Sequence, residues 1–158
     1  MAKRSLGERI HIVPLVSAQQ ISATTSTTGI NMGLFNKVDF IIQLGALATA
    51  NYTLTMEECT AAAGTSNDAI AFEYRVSAAA GTDTMGAVTA VSSSGLELAD
   101  GTYDTMTIIV SIDSDQLTDT HNYCRAVLTD PGTATAFVSI VALCYPRYAT
   151  ATPSLALT

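Results

Sequence analysis

Tryptophan is absent from the 158 residues, and Phe and Tyr together supply only ten aromatic rings. Sugar-binding surfaces rely on flat aromatic faces, so this shortage weighs against a carbohydrate- or host-surface-binding protein. Charge is scarce as well: Asp, Glu, Lys and Arg make up 13% of the chain, about half the usual ~25%. Seven basic residues stand against fourteen acidic ones, a net charge of -7, which argues against nucleic acid as a partner. The three cysteines, Cys59, Cys124 and Cys144, are odd in number and widely spaced. They form neither a disulfide framework nor a CxxC metal or redox pair. Cys124 and Cys144 stand in apolar, strand-like runs, where a free thiol acts as a small hydrophobe. Buried reduced thiols are expected, with an intersubunit disulfide as the sharper alternative.

Long apolar runs are missing too. Ala136–Tyr145 is interrupted by Ser139 and falls far short of the ~20 residues of a membrane span. The patch at Ile10–Val16 contains His11 and Pro14 and follows Glu8 and Arg9, unlike the core of a signal peptide. No membrane partner is expected, and the chain reads as made and folded in a cytoplasm. Low charge and high apolar content exclude a disordered chain, and the length suits one domain.

What fills the chain is small and mildly polar: Ala and Thr account for 47 of 158 residues. Such a surface loses little side-chain entropy on contact, whereas each immobilised Lys or Glu loses ~1.5–2 kcal/mol. Apolar residues recur with period two, the signature of strands. Tyr52, Leu54 and Met56 share one face of residues 51–57, and Ile70, Phe72, Tyr74 and Val76 one face of 70–76. Met106, Ile108, Val110 and Ile112 do the same in residues 106–112, and 123–128 and 137–143 add two further strands. Residues 38–44 begin alternating and then run apolar, as a strand does on entering a core. Turn chemistry fills the gaps, at Ala80–Asp83, Ser92–Gly95 and Ala99–Gly101. Asp130-Pro131-Gly132 reads as the strongest hairpin turn, and Ser114–Thr118 as a single helical turn. The expected fold is all-β: one β-sandwich or jelly-roll-like domain over residues 17–147, an extended N-terminal arm over 1–16 and a loose tail over 148–158.

Little in the chain suggests catalysis. Its two histidines are His11 and His121. Asp119-Thr120-His121-Asn122 sets acid and hydroxyl beside an imidazole, but no Gly-x-Ser-x-Gly elbow accompanies it. Asp113, Asp115 and Asp119 resemble a calcium loop, yet Leu117, Thr118 and Cys124 occupy positions where a calcium hand needs a ligand, a glycine and a glutamate. Glu57 and Glu58 are adjacent, so on a strand they point to opposite faces and cannot share a cleft. No Gly-x-x-x-x-Gly-Lys loop is present. No enzyme, cofactor or resident metal is expected.

Several phrases carry a likeness. Glu8-Arg9-Ile10-His11-Ile12-Val13-Pro14-Leu15 opens the chain, followed by Val38–Ala46, Met56–Ala62, Ile109–Leu117 and Tyr123–Leu128. Together they resemble the head decoration, or cement, proteins of tailed bacteriophages, small structural proteins encoded near the major capsid protein. The resemblance implies a β-sandwich on the capsid surface of the virion. Its implied partners are the major capsid protein and copies of itself, as a dimer or trimer. Residues 1–9 carry a local charge of +2 against -6 over residues 80–158, which suits a basic arm reaching an acidic neighbour. If that arm orders on binding, Leu6, Ile10, Ile12 and Leu15 are its expected apolar contacts, and Arg4 and Arg9 its charged ones. A tail-tube, head-completion or fibre-base subunit is the rival expectation.

Overall fold

The computed structural model describes residues 9–48, 51–132 and 134–148. Two antiparallel sheets pack face to face. The larger runs in the order β1 (His11–Ile21), β12 (Thr135–Pro146), β4 (Phe35–Ala48), β10 (Thr107–Asp113), β7 (Phe72–Val76) and β8 (Thr89–Val91). The smaller runs β2 (Thr25–Ser26), β11 (Tyr123–Thr129), β5 (Tyr52–Cys59) and β6 (Asp68–Ile70). There β3 (Ile30–Asn31) shares β11 with β2, and β9 (Leu96–Leu98) shares β5 with β6. The first and last strands are neighbours, and β1-β12-β4-β10 faces β2/β3-β11-β5-β6/β9. That is the strand order of a double-sheet jelly roll, with β7 and β8 widening the larger sheet.

Alternation builds the core. Phe35, Val38, Phe40 and Ile42 of β4 are fully buried, as are Ile108, Val110 and Ile112 of β10 and Leu54 and Met56 of β5. Tyr52 ties the layers together: its buried hydroxyl donates to the carbonyls of Ile21 and Ala134 at 3.3 and 3.2 Å. The helical turn expected near Ser114 is a 3-10 turn at Ser114–Gln116.

Three local expectations are corrected. From His11 onward the expected arm is the edge strand β1, paired with β12 from His11↔Cys144 to Ile21↔Ala136. Val13 and Val16 enter the core, so the sandwich begins at His11 rather than at residue 17. Pro14 is tolerated because an edge strand has one unpaired side. Two register shifts beside it interrupt the edge. Residues 1–8, and the expected tail from 149 onward, lie outside the described residues. Asp130-Pro131-Gly132 is not a hairpin turn, since β11 and β12 belong to different sheets. It is a corner: Asp130 Oδ1 accepts from the Gly132 N–H at 2.9 Å and the Ala134 N–H at 3.3 Å as the chain crosses between layers. The run at 70–76 divides at Ala71, with Ile70 paired to Met56 in one sheet and Tyr74 to Val110 in the other. Period two continues through such a crossing, so the pattern does not mark it.

Gly95 closes the β8–β9 connection at φ +90°, where an added Cβ would lie 2.7 Å from the Leu54 carbonyl oxygen and 2.6 Å from Thr55 Cγ2. Gly101 has φ +73° but open space around it. Gly95→Ala is expected to lose about 1–3 kcal/mol of stability, and Gly101→Ala about 1 kcal/mol from backbone strain alone. Urea unfolding of both variants checks this; equal losses would show that Gly95 is needed only for its φ.

Candidate functional site

The carboxylate pair on β5 behaves as strand geometry requires. Glu57 turns outward and is bound by Arg125, with Nη2 at 2.7 Å and Nε at 2.8 Å from Oε2. The guanidinium lies against Gly64, where a Cβ would meet Nη1 at 1.8 Å, so the β5–β6 loop holds the ion pair down. Glu58 turns inward and is only 3% exposed. Its Oε2 accepts the Thr118 N–H at 2.7 Å and its Oε1 the Thr118 hydroxyl at 3.0 Å.

His121 completes this cluster. Its Nε2 lies 2.8 Å from the Ser66 carbonyl oxygen, which only accepts, so Nε2 carries a proton and donates. Nδ1 lies 2.8 Å from the Thr118 hydroxyl and 3.0 Å from that of Thr120. The Thr118 hydroxyl donates to Glu58, and both threonine oxygens lie within hydrogen-bond distance of Nδ1, so every polar group in the cluster has a partner. The histidine thus clamps the β10–β11 connection to the β5–β6 loop at one end of the sandwich.

Glu58, Asp68 and His121 form the group of metal-capable side chains that comes together among the described residues. Glu58 Oε1 approaches Nδ1 at 3.8 Å and Asp68 Oδ2 approaches Nε2 at 3.8 Å. The two carboxylates thus approach opposite nitrogens of the ring, while one ligand atom from each of the three residues lies within 4.8 Å of the others. Thr118 does sit beside the imidazole, but its hydroxyl also serves Glu58, so the cluster reads as a structural clamp. Asp113 belongs to the 3-10 turn, its N–H donating to Gln116 Oε1 at 2.8 Å. His11 stacks on Phe35, ring centroids 6.0 Å apart. All three cysteines are free and buried, which removes the intersubunit disulfide. Burial pushes the Cys144 thiol up to about 12 and that of Cys124 well above its ordinary value, so neither is a nucleophile.

The most distinctive surface is the outward face of the larger sheet. Register aligns Pro14, Val141, Ile41 and Ile109 in one row across β1, β12, β4 and β10, ending at Arg75 of β7. The adjacent row is Ile12, Leu143, Asp39, Ser111 and Glu73. Asp39 is its polar centre, accepting from the Ser111 hydroxyl at 2.6 Å and the Tyr145 hydroxyl at 2.9 Å, with Lys37 Nζ at 3.3 Å. Burial first, and the Asp39 carboxylate second, push the Tyr145 phenol up, so this group stays neutral and donating.

Of the expected contact residues, Ile12 lies on this face and is 43% exposed. Arg9 is exposed and Ile10 half-buried just before β1, while Leu15 packs against the core. Arg4 and Leu6 lie outside the described residues. Sequence reasoning did not single out Ile41, Val141 and Leu143, although the apolar stretches of β4 and β12 were their signal; Ile109 faces away from Ile108, Val110 and Ile112, as alternation over 106–112 expects. The stretch at 38–44 read as a strand running into a core, whereas the second sheet covers one face of it.

No protein-family model, curated protein or solved structure matches the chain.

Glu58→Ala leaves a part-buried N–H and hydroxyl without their acceptor, and is expected to lose about 1–3 kcal/mol of stability. Glu57→Ala breaks a part-buried pair whose side chains are each 14% exposed, and with Arg125 still able to reach water it should lose less than Glu58→Ala, about 1 kcal/mol. Denaturant unfolding decides; a Glu57 loss equal to that of Glu58 would contradict the clamp.

Proposed function

We propose that this protein is a structural, non-enzymatic component of a tailed-bacteriophage head that docks on the outside of the capsid lattice and bridges major capsid subunits. The observation that carries the reading is the apolar row Pro14–Val141–Ile41–Ile109 on the outward face of the larger sheet, with Ile12 and Leu143 beside it. A sheet face of this kind is a protein-contact surface rather than a solvent-facing one. Support comes also from the resemblance to head decoration proteins, whose phrases fall on β1, β4, β5, β10 and β11. Jelly rolls occur in viral structural proteins as well as in lectins and enzymes, so the fold adds only an analogy.

The physical demands of the role fit the chain. A lattice resists internal pressure through many copies of a modest contact, so no single interface must be exceptionally tight. Ala- and Thr-rich surfaces order at little entropic expense. Interfaces of ordinary strength bury ~800 Å² per partner. A face four strands wide at ~4.8 Å spacing, with strands of 7 to 14 residues at ~3.3 Å per residue, offers a footprint approaching that order.

Purified particles from the source of this chain provide the test. Molar abundance near that of the major capsid protein, with heads that leak DNA earlier once the protein is stripped, is the expected result. A few copies per particle would point to a connector, tail or fibre subunit, and absence from particles would remove the reading. In rebinding to stripped heads, Ile41→Asp and Ile12→Asp should each weaken binding at least about tenfold while circular dichroism is unchanged. Undiminished rebinding by both folded variants would mean that another surface docks.

A further inference from the structure

Among the described residues Glu58 is the only charged side chain that is buried. Its carboxylate receives an N–H and a hydroxyl from Thr118, both uncharged donors. No Lys or Arg of the described residues pairs with it; Arg125 is bound to Glu57 instead, and Lys37 to Asp39. Buried charges are ordinarily matched, by a protonated side chain or by a metal ion.

The group that faces Glu58 is the His121 ring. Ser66 fixes its orientation, because the Ser66 carbonyl takes the Nε2 proton at 2.8 Å. In the neutral ring the lone pair is therefore on Nδ1, the nitrogen turned toward Glu58 and 3.8 Å from Oε1. Metal-bound histidines are held in this way, with one nitrogen on the ion and the other N–H donated to a carbonyl or carboxylate. Asp68 Oδ2, 3.8 Å from Nε2, stands on that backing side of the ring.

The spacing fits an ion. Nitrogen and oxygen ligands hold Zn²⁺ at ~2.1 Å, so two ligands of one ion stand at most ~4.2 Å apart. Oε1 and Nδ1 are 3.8 Å apart, and Thr118 Oγ1 lies 3.0 Å from the first and 2.8 Å from the second. Thr120 Oγ1 is 3.0 Å from Nδ1. A cavity of about 170 Å³ borders Thr118, Asp119, His121 and Asn122. That is several times the ~30 Å³ share of one water, so it offers a path of entry and room for water ligands. Imidazole beside oxygen suits a transition ion, whereas Ca²⁺ takes oxygen ligands alone.

We propose that His121 Nδ1 and Glu58 Oε1 hold a divalent transition-metal ion of the zinc class, with the Thr118 hydroxyl and water completing its shell. The Thr118 proton turns away from Glu58 as the ion enters, and the ion supplies the positive charge that the buried carboxylate faces. Binding locks the β10–β11 connection onto β5. The site stands whether or not the protein belongs to a virion.

Equilibrium dialysis of the untagged, chelator-treated full chain against Zn²⁺ tests this. The expected result is one Zn²⁺ per chain and a thermal midpoint that rises with zinc concentration. Nitrogen NMR should show His121 Nδ1 shifting while Nε2 stays protonated. His121→Gln and Glu58→Gln should each weaken binding at least about tenfold, and Asp68→Asn by less. His11→Ala, which alters the other histidine, should leave binding unchanged. Circular dichroism reports whether each variant is folded; if Glu58→Gln is not, His121→Gln and the nitrogen shifts decide. Absence of zinc uptake, binding that survives His121→Gln, coordination through Nε2, or tighter binding of Ca²⁺ would each overturn the proposal. Capsid rebinding is read with the Ile12 and Ile41 variants on the outward face, so either account can fail without the other.

Discussion

Side chains alternate across a strand, and the register of β4 between β12 and β10 therefore has two consequences at once. It sends Val38, Phe40, Ile42 and Leu44 into the space between the sheets. It also turns Lys37, Asp39, Ile41 and Gln43 outward, in line with Val141, Ile109 and their neighbours. A slip of one residue would exchange the two sets and place Asp39 and Lys37 in the core. Core and outward face are thus specified by one pairing. Because the outward set includes Ile41, Ile109, Val141 and Leu143, the register that stabilises the fold also creates an apolar surface.

Hydrogen bonds elsewhere in the molecule tie the two layers and their loops together. Tyr52 bonds carbonyls at the end of β1 and just before β12, the Glu58–Thr118–His121 cluster closes one end of the sandwich, and Asp130 closes the corner into β12. Among the described residues no buried side-chain nitrogen or oxygen lacks a hydrogen-bond partner. These polar groups hold loops together, and the three cysteines are buried free thiols. The outward face of the larger sheet combines apolar area with charges at its rim, which the proposed docking would use.

Much of the architecture was legible in the sequence, for reasons that also explain the gaps. Alternation at 51–57 and 106–112 located β5 and β10, and the rule that neighbours on a strand diverge placed Glu57 and Glu58 on opposite faces. Non-local decisions were not legible. Residues 11–16 become a strand because β12, more than a hundred positions away, offers an open edge. Asp130 becomes a crossing because β11 is already paired on both sides, and Ala71 becomes one because β7 pairs with β10 of the other sheet. Ser66 and Asp68 meet His121 through a loop whose path no spacing encodes. Most consequentially, an apolar run announces burial without naming what buries it. In β4 and β12 one face is covered by the second sheet, and the other forms the outward face that carries Ile41, Val141 and Leu143.

The account rests on that uncovered face being the working surface, and a cryo-electron-microscopy reconstruction of an intact particle carrying this protein tests it most directly. The account predicts that the β1-β12-β4-β10 face lies against the capsid, with Ile12, Ile41 and Val141 in contact with capsid subunits. A reconstruction in which this face points to solvent, and the loops at the end of the sandwich make the contact instead, would contradict it.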